Sequence, residues 1–325
     1  RFSSFAYVVL LGSLGTHVPL QAQDQVSALF EALQTNDFLS QGHARFLFEG
    51  PRTNLAWPHP NESPQSVGLL DWNASLDLFT GDTRLDRYHS EKLSLLPSRK
   101  WNENLITYAG VGIHRLNLQK VTTHLVTHEV GAEWVPSLGE WLGLSTRRDY
   151  LLSQFTQPGA VRERTQAQWT RFQWQRKWLS RIRSQILLTH TAFSNANSRR
   201  EGDMSVLYGI LPGDPWLWLG WGAYLFRTDR VSAEYWSPTR FWATGPRLEA
   251  STTLPNDWIL AGGLNLNRLR EEEFRIGWGY YGVASLRTAP RDRRRLELTY
   301  IRNISSQLGN TWVFDQYQIS AVLPL

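Results

Sequence analysis

The sequence predicts an all-β protein, a transmembrane antiparallel β-barrel of about 14 to 16 strands with a short N-terminal helix. Three features of the 325 residues carry that reading. Apolar side chains alternate with small or polar ones over runs of about ten residues, the length a strand needs to cross a bilayer at a tilt. Sixteen residues are Trp, and Trp134, Trp141, Trp178, Trp216, Trp218, Trp258, Trp312 and Tyr317 fall near the ends of those runs. That placement resembles the aromatic girdles at two membrane interfaces. Beyond the first few dozen residues there is no run of 18 or more apolar residues, which excludes a polytopic helical membrane protein and leaves a barrel open. A soluble sandwich also alternates, but with a charged outer face and strands of about five or six residues.

Taken in order, residues 1–22 have a basic start at Arg1, an apolar stretch from Phe5 to Leu14 and an exit ending Leu20-Gln21-Ala22. This is the layout of a secretory signal peptide. Export without a single Cys points to the periplasm, outer membrane or medium of a diderm bacterium, and the barrel reading selects the outer membrane. Residues 23–42 are expected as a short periplasmic helical segment, because Val26, Leu29, Phe30 and Leu33 repeat at helical spacing. From His43 to Leu325 the pattern is that of the barrel, punctuated by turn compositions such as LPGDP at 211–215 and TLPNDW at 253–258.

Alternation is clearest in the last third. Trp258, Leu260, Leu264 and Leu266 oppose Ala261, Gly263, Asn265 and Asn267. Phe274, Ile276, Trp278 and Tyr280 oppose Arg275, Gly277, Gly279 and Tyr281, and Leu296, Leu298 and Tyr300 oppose Arg295, Glu297 and Thr299. The segment 162–190 can be drawn as a basic amphipathic helix or as a hairpin. The surrounding strands favour the hairpin, with Phe172, Trp174, Ile182, Ile186 and Leu188 toward lipid and Arg171, Gln173, Gln175, Arg181, Arg183 and Gln185 inward.

Motifs for other chemistries are missing. There is no GxGxxG, no P-loop, no HExxH and no GxSxG elbow around Ser145, Ser153 or Ser237. His124 and His128 share a strand face about 13 Å apart, too far for one metal shell, with His114 elsewhere. Asp71, Asp77, Asp82 and Asp86 offer acid pairs no better than any 29 acids would. The expectation is a non-enzymatic protein with no cofactor and no metal. A net charge of +5 gives no case for nucleic acid.

Charges in spanning strands belong in the lumen, since a lipid-facing Arg costs about 2–4 kcal/mol at midplane. Arg171, Arg181, Arg183, Arg247, Glu249 and Arg275 are therefore the lumen candidates. They suit a path for a hydrophilic solute or polymer with a bias toward anionic groups, or alternatively an interior filled by paired charges for stability. Tyr235, Trp236, Pro238, Arg240 and Phe241 form a stiff aromatic loop too apolar to float in water, expected to fold back as a plug, rim or sugar-stacking wall, or as a turn tucked against the strands.

The stretch Tyr235-Trp236-Ser237-Pro238-Thr239-Arg240-Phe241, followed by Gly245 and Arg247-Leu248-Glu249-Ala250, resembles the loop before a strand in the C-terminal barrels of bacterial exopolysaccharide secretion proteins, those exporting cellulose or poly-N-acetylglucosamine. The resemblance covers about a third of the chain, including GGLNLNRLREEEFRIGWGYYGV and RRRLELTYIRN, and the rest matches in architecture. It implies an outer-membrane conduit for a polysaccharide. The sequence has no 34-residue helical repeat of the family's kind, so the expectation is that any periplasmic scaffold is a separate repeat protein or that the export role has been lost. The other partners expected are the lipid bilayer and the barrel-assembly machinery. The alternatives are a structural or adhesin-like barrel, or a phospholipase-type barrel hydrolase.

Overall fold

The computed structural model describes residues 25–35, 40–49, 71–82, 87–102, 104–118, 121–152, 158–179, 181–211, 213–272, 277–288, 295–307 and 310–324. The expected signal peptide and Arg275 lie outside them, as do Phe274, Ile276, Asp86 and Ser153.

Alternating side chains with no helical stripe produce strands, and sixteen follow one another. They are β1 (Gln25–Thr35), β2 (Ser40–Glu49), β3 (Asp71–Asp82), β4 (Arg87–Asn102), β5 (Leu105–Leu118), β6 (Val121–Ser137), β7 (Glu140–Tyr150) and β8 (Gln166–Leu179). The second half comprises β9 (Ile182–Phe193), β10 (Ser198–Leu211), β11 (Trp216–Thr228), β12 (Phe241–Thr253), β13 (Trp258–Glu271), β14 (Gly277–Thr288), β15 (Arg295–Gln307) and β16 (Asn310–Pro324). Each pairs antiparallel with the next, and β1 pairs with β16 to close a barrel. Closure leaves no edge strand, the condition for a sheet in hydrocarbon.

The short helix expected near the N-terminus is instead strand β1. Its apolar residues fit either period. Without this strand β2 and β16 would each present an open edge, so the ladder decides the conformation, from Gln25 opposite Pro324 to Thr35 opposite Phe314. The barrel accordingly begins before His43. Segment 162–190 is a hairpin, with β8 ending at Leu179 and β9 starting at Ile182.

Cross-lumen contacts fix which face points inward. Arg183 on β9 pairs with Glu249 on β12, three strands further round, and His114 on β5 pairs with Asp149 on β7, two strands further. Only inward side chains can meet that way, and the ladder registers carry the assignment to every strand. Phe172, Trp174, Ile186 and Leu188 then point outward, the side expected toward lipid, and Leu260, Leu264, Leu266 and Trp278 do so in the last third. Trp101, Trp134 and Trp178 stand outward and half-exposed at one rim. Trp141, Trp216 and Trp218 depart from the girdle pattern and line the lumen, because they share the parity of Gln175, Ser251 and Glu249.

Between the strands of the second half the backbones approach closely. A Cβ on Gly220 would lie 1.9 Å from the Val206 carbonyl oxygen, and one on Gly245 1.8 Å from that of Leu266. Only glycine fits there.

Candidate functional site

The barrel has a terminal rim, where β1 begins and β16 ends, and an opposite loop rim. At the loop rim two connections fold into the mouth. One, after β7, carries the single-turn helix α1 (Pro158–Arg162), and the other is residues 229–240 between β11 and β12. Apolar side chains on the inner wall hold them. Val161 packs with Tyr88, Leu116, Leu118, Leu125 and Tyr150. Tyr235 stacks on Phe193 with ring centroids 4.0 Å apart and is 0% exposed. Trp236 stacks on Phe226 at 5.0 Å, meets Phe241 edge-on and donates its indole N–H to Glu271 Oε1 at 2.9 Å. A buried indole needs both the apolar contact and the acceptor, and here it has both.

The two segments also hold each other. The Ala160 amide donates to the Glu234 carbonyl at 3.0 Å, the Thr165 hydroxyl donates to the Glu234 carboxylate, and Asn195 Nδ2 reaches the same carboxylate at 3.1 Å. Pro238 is buried, and its carbonyl accepts from the Thr228 amide at 3.1 Å. Burial pushes the Tyr235 phenol above its usual range, opposed by hydrogen bonds with Asn195, Asn197 and Ser232. Arg240 alone of the loop candidates is exposed, and its backbone carbonyl accepts from the Glu272 amide at 2.8 Å. Tyr235 and Trp236 are buried against wall rings, so they offer no stacking surface to a sugar.

Beneath this plug lies a polar cavity of about 310 Å³. His43 bonds Glu31 at 2.8 Å and Asp77 at 2.9 Å through its two ring nitrogens, and Arg45 Nε donates to Asp77 at 2.5 Å. Two carboxylates flanking one imidazole leave both nitrogens donating. Next to it, His114 Nδ1 bonds Asp149, Nε2 lies 3.0 Å from Ser90 Oγ, and Lys92 Nζ donates to Asp149 at 2.6 Å. Ser90, His114 and Asp149 thus have the connectivity of a nucleophile, base and orienting acid. Ser90 is 0% exposed, however, and β4 is laddered on both sides at Ser90, to Phe79 and Leu116, which takes up the backbone amides an oxyanion would need. Sequence reasoning missed both clusters. It had singled out His114 and Asp77 for metal or acid pairs, but their partners come from other strands, while His124 and His128 stand on the outer face of β6.

Toward the terminal rim the lumen is lined by Arg171, Gln173 and Gln175 of β8, Arg183 and Gln185 of β9, Arg247 and Glu249 of β12 and Asn265 of β13. Glu249 joins Arg183 and Arg247, the latter through Nη2 at 2.9 Å, and the Arg183 guanidinium lies 5.3 Å from the Trp218 ring centroid. Arg171 is exposed, beside Ser145 and Thr189. Arg181, expected in this wall, lies instead in the β8–β9 turn, since β8 ends at Leu179. Acids line the lumen as well, Glu129 and Glu133 on β6 and Glu201 and Asp203 on β10, so the anionic bias expected from the arginines alone gives way to mixed charge.

No family model matches the chain, and no curated protein matches it in sequence. Solved structures do match. A bacterial polysaccharide outer membrane secretin aligns over 94% of this chain and 99% of its own at 11% identity, with a TM-score of 0.72. CdiB from Acinetobacter baumannii aligns over 94% of this chain and 60% of its own at 8% identity, with a TM-score of 0.54. Pseudomonas aeruginosa OccK11 (OpdR) is more distant, aligning over 93% of this chain and 96% of its own at 9% identity and a TM-score of 0.46. What this chain shares with the first two is the fold, that of an outer-membrane barrel.

Proposed function

We propose that the chain is an outer-membrane conduit exporting a hydrophilic polysaccharide, with the two inward segments as its gate. The observation that carries this is the polar wall running from the terminal rim to the plug, in which Glu249 spaces Arg183 and Arg247 among Gln173, Gln175, Gln185 and Asn265. Guanidinium, carboxylate and amide groups exchange hydrogen bonds with sugar hydroxyls at little cost in a wet lumen. The whole-length fold match to a polysaccharide secretin supports the reading, as does the resemblance of the 235–250 stretch to cellulose and poly-N-acetylglucosamine exporters. Partners under this reading are the bilayer, the assembly machinery and a periplasmic repeat segment that guides the polymer. We read Ser90, His114 and Asp149 as a wall tie and not as a hydrolase.

A second reading, a structural barrel, is favoured by the interlocked mouth. One experiment separates the two. The purified chain and a Tyr235→Ala/Trp236→Ala variant are placed in planar bilayers, and polymer release is measured in cells carrying each. Export predicts a larger steady conductance for the variant and loss of polymer release in the knockout. A silent bilayer for both proteins, with normal release in the knockout, leaves the structural barrel.

A further inference from the structure

The outer face of the loop rim carries a row of bases. Arg200 on β10 lies directly opposite Arg227 on β11 and, on its other side, directly opposite His190 on β9. All three are exposed and share the outward parity of Met204, Val206, Trp221 and Leu188. Like charges directly opposite on a sheet face repel. Asp229 at the same rim is held below the usual carboxylate range first by a hydrogen bond from Ser198 and then by Arg200, Arg227 and His190. Its Oδ2 already accepts from Ser198 Oγ at 2.5 Å. Arg268 and Arg270 of β13 continue the rim, outward and exposed. None of Arg200, Arg227, Arg268 and Arg270 has a carboxylate in salt-bridge reach among the described residues.

Depth decides what such a row can meet. It sits immediately beyond the apolar band formed by Leu188, Met204, Val206, Trp221 and Leu225, where a bilayer changes from hydrocarbon to headgroup. The terminal rim handles its outward arginines differently. Arg99 stacks on Trp101 at 4.0 Å and Arg176 on Trp178 at 4.1 Å, so one face of each guanidinium is already covered. At the loop rim Arg200 and Arg227 stand side by side with no such ring cover among the described residues, and an anion between them would relieve their mutual repulsion. A guanidinium fork matches a phosphate bidentately, and two forks side by side clamp one phosphate between them.

We propose that this rim, from β9 to β13, is a binding site for anionic phosphate-bearing lipid headgroups, with Arg200 and Arg227 clamping one phosphate. The inference rests on the membrane-spanning reading of the barrel. It assigns the chain a preferred lipid environment on one side of the membrane only.

The full chain would be placed in nanodiscs of phosphatidylcholine alone or of phosphatidylcholine with phosphatidylglycerol, then transferred to detergent. Lipids retained are counted by native mass spectrometry. The wild type should retain phosphatidylglycerol over phosphatidylcholine by on the order of tenfold, and Arg200→Gln/Arg227→Gln should lose most of that enrichment. Arg99→Gln/Arg176→Gln should keep it. Inorganic phosphate at the lipid's concentration should displace nothing. Equal retention of both lipids, enrichment that survives Arg200→Gln/Arg227→Gln, loss confined to Arg99→Gln/Arg176→Gln, or displacement by free phosphate would each overturn the proposal. Failure to insert into either nanodisc would sink the membrane reading and this inference with it, whereas insertion without preference sinks the inference alone.

Discussion

Trp236 is the side chain on which the mouth most depends, because it joins an apolar stack to a polar anchor. Replacing it with Phe keeps most of the ring contact with Phe226 and Phe241 but removes the N–H that Glu271 accepts. A hydrogen bond to a charged group contributes about 1.5–3 kcal/mol, so Trp236→Phe should lower stability by that order in a denaturant titration, and Trp236→Ala by about 3–5 kcal/mol. In the lumen, Arg183 and Glu249 are both mostly shielded, and a double-mutant cycle between them should give a coupling of about 0.5–3 kcal/mol. Glu249→Gln alone should shift the pore toward anions, read as a change in reversal potential under a salt gradient, since two guanidiniums lose their counter-charge. Residues of this kind were legible: alternation places Arg171, Arg183, Arg247 and Glu249 inward without knowing any partner. The Glu31–His43–Asp77 and Ser90–His114–Asp149 groups were not. Their hydrogen-bonded members stand 12 to 35 residues apart in sequence, and only strand register brings them together.

Among elements, β12 shows how tightly the wall constrains its residues. Gly245→Ala would drive a methyl group into the backbone of β13, which cannot yield without opening the ladder. The expected result is a loss of about 1–3 kcal/mol or failure to form the heat-resistant barrel, checked by gel mobility before and after boiling. At the terminal rim, Asp214 in the β10–β11 turn accepts the Thr253 amide at 3.0 and 3.3 Å. Hydrogen bonds from the Thr253 hydroxyl and then its amide hold the carboxyl below the usual range. A depressed folded pKa means that this tie is fully present above about pH 3.9, the ordinary Asp value, and is lost as pH falls through the lower folded one. The Thr253 amide shift followed by NMR should therefore titrate with a midpoint below 3.9; a midpoint at or above it would refute the tie. Strand identity was readable wherever alternation ran for ten residues. It failed at β1, where Val26, Leu29, Phe30 and Leu33 satisfy a helical period while Val26, Ala28, Phe30 and Ala32 satisfy alternation, and the choice belongs to β2 and β16.

For the molecule as a whole, alternation and aromatic content disclosed a closed barrel and bounded its strand number, while the plug stayed hidden because nothing local marks a loop as turning inward. Tyr235 and Trp236 announced only that the loop needed cover; Phe193, Phe226 and Glu271, which supply it, come from three other strands. The seam between β1 and β16 has a further consequence, in kinetics. Every other strand pairs with a sequence neighbour, so hairpins can form one after another at small entropic cost. The seam joins residues about three hundred positions apart, and closing a loop of that length costs about 5 kcal/mol of chain entropy before any of its hydrogen bonds is made. Until then the nascent sheet exposes two long adhesive edges to every other chain in its surroundings. A catalyst that holds β1 and β16 near one another would remove most of that search. Deleting residues 310–324 should leave the fifteen remaining strands with no way to finish, recovered as aggregate and not as a smaller barrel.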